Sequence, residues 1–155
     1  MDHLWLKAIH ILSATLVFGT GLSIAFFMWF AHRTGNARLI AATARGVVVA
    51  DAIFTAPGVI GLLATGFAMA GNLGVPILRG WLAFALALFV FIGCCWLPVL
   101  WLPARAWRLA ARAAAENAPL PASYRRTMAW WFWLGWPAFL AVVAVAGLMV
   151  LKPAL

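Results

Sequence analysis

Long apolar runs at residues 4–30, 47–72, 81–103 and 128–151 alternate with short polar or basic segments along the 155 residues of this chain. At about 1.5 Å of rise per helical residue, each run can cross a hydrocarbon layer of roughly 30 Å. Lipid offers no partner to an unpaired backbone amide, so such runs fold as helices. The pattern predicts an all-α, polytopic membrane protein, a single four-transmembrane-helix bundle with no room for a separate soluble domain. The first run reads as a retained helix and not as a cleaved signal, because its apolar stretch is too long and no basic cluster precedes it.

Finer features interrupt the runs. Thr15, Gly19 and Ser23 form a stripe of small residues at four-residue spacing, which predicts close approach by another helix, within the chain or from a second copy. In "TAPGVIGLLATG", Pro57 removes a backbone donor beside Gly58, so a kink is expected near the middle of the second helix. Pro98 and Pro103 act likewise in the third helix and Pro137 in the fourth. After residue 103, Arg105, Arg108 and Arg112 share one helical face and the alanine-rich stretch favours helix as far as Asn117. A cytoplasmic extension of the third helix is therefore expected, ended by "APLP".

Composition supports the same picture: 67% of residues are hydrophobic, 9% are charged, and the mean hydropathy is +1.05. The net charge of +8 is distributed unevenly. Arg33, Arg38 and Arg45 lie between the first and second runs, and Arg105, Arg108, Arg112, Arg125 and Arg126 between the third and fourth, whereas Lys7, Arg79 and Lys152 fall at the other surface. The positive-inside rule makes the arginine-rich loops cytoplasmic and puts both termini outside, in a bacterial inner membrane. Basic loops beside a membrane attract anionic headgroups at about 1 kcal/mol per Lys or Arg, so the implied partner is lipid and not nucleic acid. The ten tryptophans read as an interfacial belt, with Trp5 and Trp81 at one surface and Trp29, Trp101, Trp107, Trp130, Trp131, Trp133 and Trp136 toward the other. Trp96 and Trp136, placed deeper, are alternatives for stacking on a quinone or porphyrin.

Few residues can carry chemistry in this solvent. Lys7 can snorkel to the surface, while His10, one helical turn deeper, shares a face with Ala14, Val17 and Gly21. A histidine on such a face suits axial ligation of a flat cofactor such as haem; the alternative is a neutral imidazole hydrogen-bonded to a neighbouring helix. Met69 and Met149 are candidate second ligands, with five-coordinate iron as the other option. Copper handling by Met28, Met69, Met149 and His10 is a third possibility. His3 and His32 read as solvated flanks. Asp51, the only acid within a run, is expected to pair with Arg33, Arg38 or Arg105, with a proton relay as the alternative. Cys94 and Cys95 point in different directions on a helix and read as core residues, sharing neither a metal nor a disulfide. No CxxC, HExxH, Walker or dinucleotide motif occurs, so a hydrolase or nucleotide enzyme is not implied.

The strings "LWLKAIHILSATLVFGTGLSIAFFM", "WLPVLWLPARAWRLA" and "WFWLGWPAF…GLMVLKP" resemble, nearly end to end, an uncharacterised bacterial family of integral membrane proteins catalogued as a domain of unknown function. "LWLKAIH" and the closing Lys-Pro are also similar to HemJ-type protoporphyrinogen oxidases and, more remotely, to CopD-type membrane proteins. That second resemblance implies haem b on His10, with Lys7 near a propionate, and a role in membrane redox or electron transfer with a redox partner. HemJ-type chains carry an arginine late in the first helix and a lysine in a later one. This chain has Phe26, Phe27 and Met28 in the first place and no lysine between Lys7 and Lys152, so the oxidase reaction itself is not implied. The reading from another class is a non-enzymatic accessory subunit or small transporter, homo-oligomeric or bound to a membrane partner through its small-residue stripes.

Overall fold

The computed structural model of the protein describes residues 3–151. Lys152 and Pro153, which close the sequence pattern, lie outside them. Among the described residues the chain is all helical: α1 (His3–Thr34), α2 (Ala37–Ala50), a π-helical turn (Asp51–Thr55), α3 (Ala56–Asn72), α4 (Gly80–Ala115) and α5 (Ala122–Leu151). Together α2, the π turn and α3 form one segment, so four helices are long and apolar enough to cross a membrane.

The helices extend beyond the apolar runs at the arginine-rich end. The second begins ten residues earlier than the hydropathy pattern indicates, at Ala37 instead of residue 47. It starts there because Gly35, with φ +65°, turns the chain sharply and Asn36 Oδ1 caps the new helix by accepting from the amides of Arg38 and Leu39 at 3.0 and 3.2 Å. The segment is amphipathic: Ile40, Ala44 and Val47 are buried one turn apart, whereas Arg38 and Arg45 face out. The expected extension of the third helix is present, and α4 runs through Pro98 and Pro103 to Ala115. Helix α5 also starts early, at Ala122, and continues through Pro137. At Pro57 the interruption takes the form of the π turn, in which the Ala56 N–H reaches back to the Asp51 carbonyl.

Packing is uneven along the bundle axis. Met28 and Ala31 of α1, Ile40, Ala44 and Val47 of α2, Ala106 and Ala110 of α4, and Tyr124, Met128 and Trp131 of α5 form one buried cluster. All of it lies in the arginine-rich half. Trp131 therefore belongs to the core and not to the interfacial belt, and its Nε1 is buried without a partner. Trp5, Trp101, Trp130, Trp133 and Trp136 are well exposed, as an interfacial belt requires. In the charge-poor half the helices run as two pairs, α1 with α3 and α4 with α5. The pairs meet through side chains such as Phe18 and Phe139, stacked with ring centroids 5.8 Å apart.

Candidate functional site

Glycines bring α3 against α1. A Cβ on Gly58 would lie 2.7 Å from Val17 Cγ2, one on Gly61 would lie 2.5 Å from Ser13 Oγ, and one on Gly66 would lie 3.5 Å from His10 Cε1. The antiparallel pairs 17/58, 13/61 and 10/66 thus set the register, and His10, Ser13 and Val17 form the α1 face of the seam. The stripe of Thr15, Gly19 and Ser23 faces elsewhere. Nothing lies within 4 Å of a Cβ placed on Gly19, and the hydroxyls of Thr15 and Ser23 donate to their own helix at Ile11 O and Gly19 O. The expected close helix approach at that stripe does not occur within the chain. Instead the stripe lines an open groove of about 780 Å³ between α1 and α2, opposite Gly46, Ala50 and Phe54.

His10 is half-buried in the α1/α3 seam. Its Nδ1 lies 2.8 Å from Thr65 Oγ1, and the buried Thr65 hydroxyl donates to Gly61 O. A threonine hydroxyl has one proton. With that proton directed to Gly61, Thr65 meets the imidazole as an acceptor, so Nδ1 carries the ring proton. The Thr65 hydroxyl also has the Leu62 carbonyl at 3.4 Å, a second acceptor for its own proton. A neutral ring in this tautomer keeps a lone pair on Nε2, for which no partner is found among the described residues.

The remaining sequence candidates lie at several depths along the bundle. Lys7 is exposed one turn nearer the charge-poor end. Met69 follows Thr65 by one turn on α3 and Met149 lies near the end of α5; both are partly buried. Met28 is fully buried in the opposite half, about 27 Å of helix rise from His10, which separates it from the methionines grouped with it for copper. His3 is exposed. Among the described residues no three His, Cys, Asp or Glu side chains gather as a metal site. Cys95 is buried as a core residue, whereas Cys94 is exposed and is not, because adjacent helical positions face different ways; both are free. Trp136 is 64% exposed and stacks on nothing internal.

Two groups differ from the sequence reading. His32 is not a solvated flank: its Nδ1 lies 3.1 Å from the hydroxyl of Tyr124, which is 1% exposed, and its ring meets Phe132 edge-on. Tyr124 is the only tyrosine in the chain, and that rarity in so apolar a sequence was the available signal. Asp51 does not pair with an arginine. It is 7% exposed, and its carboxyl faces Thr55 and Trp96. Of the expected partners, Arg33 sits over Trp29 at 5.2 Å and Arg38 and Arg105 are exposed; Arg45 sits over Trp107 at 5.9 Å.

The sequence model of a family described as "Predicted integral membrane protein (DUF2269)" matches residues 4–153. No curated protein and no solved structure matches the chain, so neither the HemJ-type nor the CopD-type likeness gains support from these comparisons. With the match spanning nearly its whole length, the chain belongs to the DUF2269 family of integral membrane proteins.

Proposed function

We propose that this protein binds haem b through His10 Nε2 and takes part in electron transfer in the bacterial inner membrane, its arginine-rich end cytoplasmic and both termini outside. One observation carries the reading. Thr65, tied to Gly61, holds the Nδ1 proton and leaves Nε2 bare within an apolar bundle. Metal-bound histidines characteristically donate their other ring N–H to a neighbouring acceptor, which fixes the tautomer and raises ligand basicity. Gly66 lets the α3 backbone lie close beside the imidazole, which holds the ring in the seam. The donor at His10 suits an axial ligand, and on this reading the exposed Lys7, one turn nearer the surface, would meet a propionate. Met69, one turn beyond Thr65 on α3, and Met149 are the candidate second ligands, with five-coordinate iron as the alternative. When bound, the haem supplies one-electron chemistry; the chain supplies the axial nitrogen, its orientation and an apolar surround. No particular reaction is assigned.

The test is the visible absorption spectrum of detergent-purified protein expressed with ample haem, oxidised and then dithionite-reduced, beside a His10→Ala variant. A Soret band that sharpens on reduction and is lost in the variant is expected. No Soret band, or full haem occupancy in His10→Ala, would sink the assignment. The open groove along Thr15, Gly19 and Ser23 favours a second reading, an accessory subunit or small transporter that receives a partner helix or a second copy there. A colourless protein that co-purifies with a membrane partner would support it.

A further inference from the structure

Asp51 and Thr55 open and close the π turn, at 7% and 6% exposure, and Thr55 Oγ1 is buried with no hydrogen-bond partner. Helix α4 brings Trp96 against the same carboxyl. The turn adds an acceptor: the Ala56 N–H is directed to Asp51 O and Pro57 has no N–H, so the Ala52 carbonyl has neither an i+4 nor an i+5 donor. No counter-charge faces this group. Between His10 and His32, α1 carries no titratable side chain, and neither does α3. On α2 the nearest cation, Arg45, sits over Trp107. On α4 the titratable neighbours in sequence are Cys94, Cys95 and Arg105, and Arg105 is exposed.

A carboxylate in this place would be a buried anion without a cation. A carboxylic acid suits the site better: the unpartnered Thr55 Oγ1 is an acceptor open to its O–H after a small side-chain rotation, and the Trp96 indole N–H, which only donates, can serve its carbonyl. Asp51 is six residues beyond Arg45 and twenty-one short of Asn72, so exchange with water is shortest through the arginine-rich end. We infer that Asp51, Thr55 and Trp96 form a proton-binding site within the membrane, in which the carboxyl takes one proton from water at the arginine-rich end and returns it, with no other bond made or broken. This inference is independent of haem on His10.

Infrared spectroscopy of the whole protein in lipid nanodiscs tests it. Asp2, Asp51 and Glu116 are the only acidic side chains, so a carbonyl band from a buried protonated carboxyl can be assigned. A band is expected at neutral pH that is absent in Asp51→Asn, changes frequency in Thr55→Val, shifts on transfer to D2O, and disappears reversibly as the pH is raised. Absence of the band in the unmodified protein, or its persistence in Asp51→Asn, would overturn the assignment. A band that neither exchanges with D2O nor titrates would mark a static structural acid and would overturn proton binding. An unchanged frequency in Thr55→Val would remove Thr55 from the site.

Discussion

The arginine-rich and charge-poor halves of the bundle are built on different principles. In the first, α1, α2, α4 and α5 enclose large side chains, with Met28 and Ile40 fully buried and Tyr124 bridged to His32. In the second, the helices separate into two pairs, and the α1/α3 seam closes on glycine, serine and threonine around a half-buried histidine. Bulky interlocking side chains fix helix positions by volume. Small residues instead let backbones approach and leave polar atoms accessible to one another. Rigidity thus resides at one end of the molecule and the chemically distinctive groups of the seam at the other, with Asp51 and its π turn near the junction.

This contrast can be broken most forcefully in the packed half. Ile40→Ala or Met28→Ala removes a fully buried side chain and should cost about 2–5 kcal/mol, read as easier unfolding in mixed detergent micelles. In the seam, Gly58→Val forces a branched side chain where even a Cβ would lie 2.7 Å from Val17. Separation of α1 from α3 should cost about 1–3 kcal/mol, visible in the same assay. Tyr124→Phe keeps the volume and loses the bond to His32, an expected loss of about 0.5–1.5 kcal/mol. Smallest is Gly19→Ala in the open stripe, where nothing lies within 4 Å: a change within about 0.5 kcal/mol in the isolated chain. A larger loss there would mean that the groove is filled in the purified state, and would turn the comparison toward an oligomer.

The membrane spans were legible because hydrocarbon imposes a length and a composition on any crossing helix, and all four apolar runs lie within helices. Helix ends were not, because hydropathy loses sight of an amphipathic extension: Ile40 and Ala44 are buried against α4 and its neighbours, yet Arg38 and Arg45 interrupt the apolar run. Pro57 announces an interruption, but hydropathy and a missing N–H do not say that it takes the form of a π turn, in which the Ala56 N–H reaches back to Asp51 O. His10 stood out by its depth in an apolar run. Its partner Thr65 did not, since helical period places Thr65 on a face without saying which helix that face meets. The stripe of Thr15, Gly19 and Ser23 misled for the same reason: small residues permit close approach, and only the rest of the bundle decides whether a neighbour arrives. His32 looked solvated by position, and Tyr124, ninety-two residues away in sequence, alters that environment.

The central claim is that the Thr65–Gly61 chain fixes His10 with its proton on Nδ1 and its lone pair on Nε2. Nitrogen-15 NMR of histidine-labelled, haem-free protein tests it directly, since His3, His10 and His32 are the only histidines to resolve. The account predicts a protonated Nδ1 and a bare Nε2 at His10, with mixed tautomers appearing in Thr65→Val. A proton on Nε2 in the unmodified protein would contradict it and would withdraw the atom on which the proposed ligation depends.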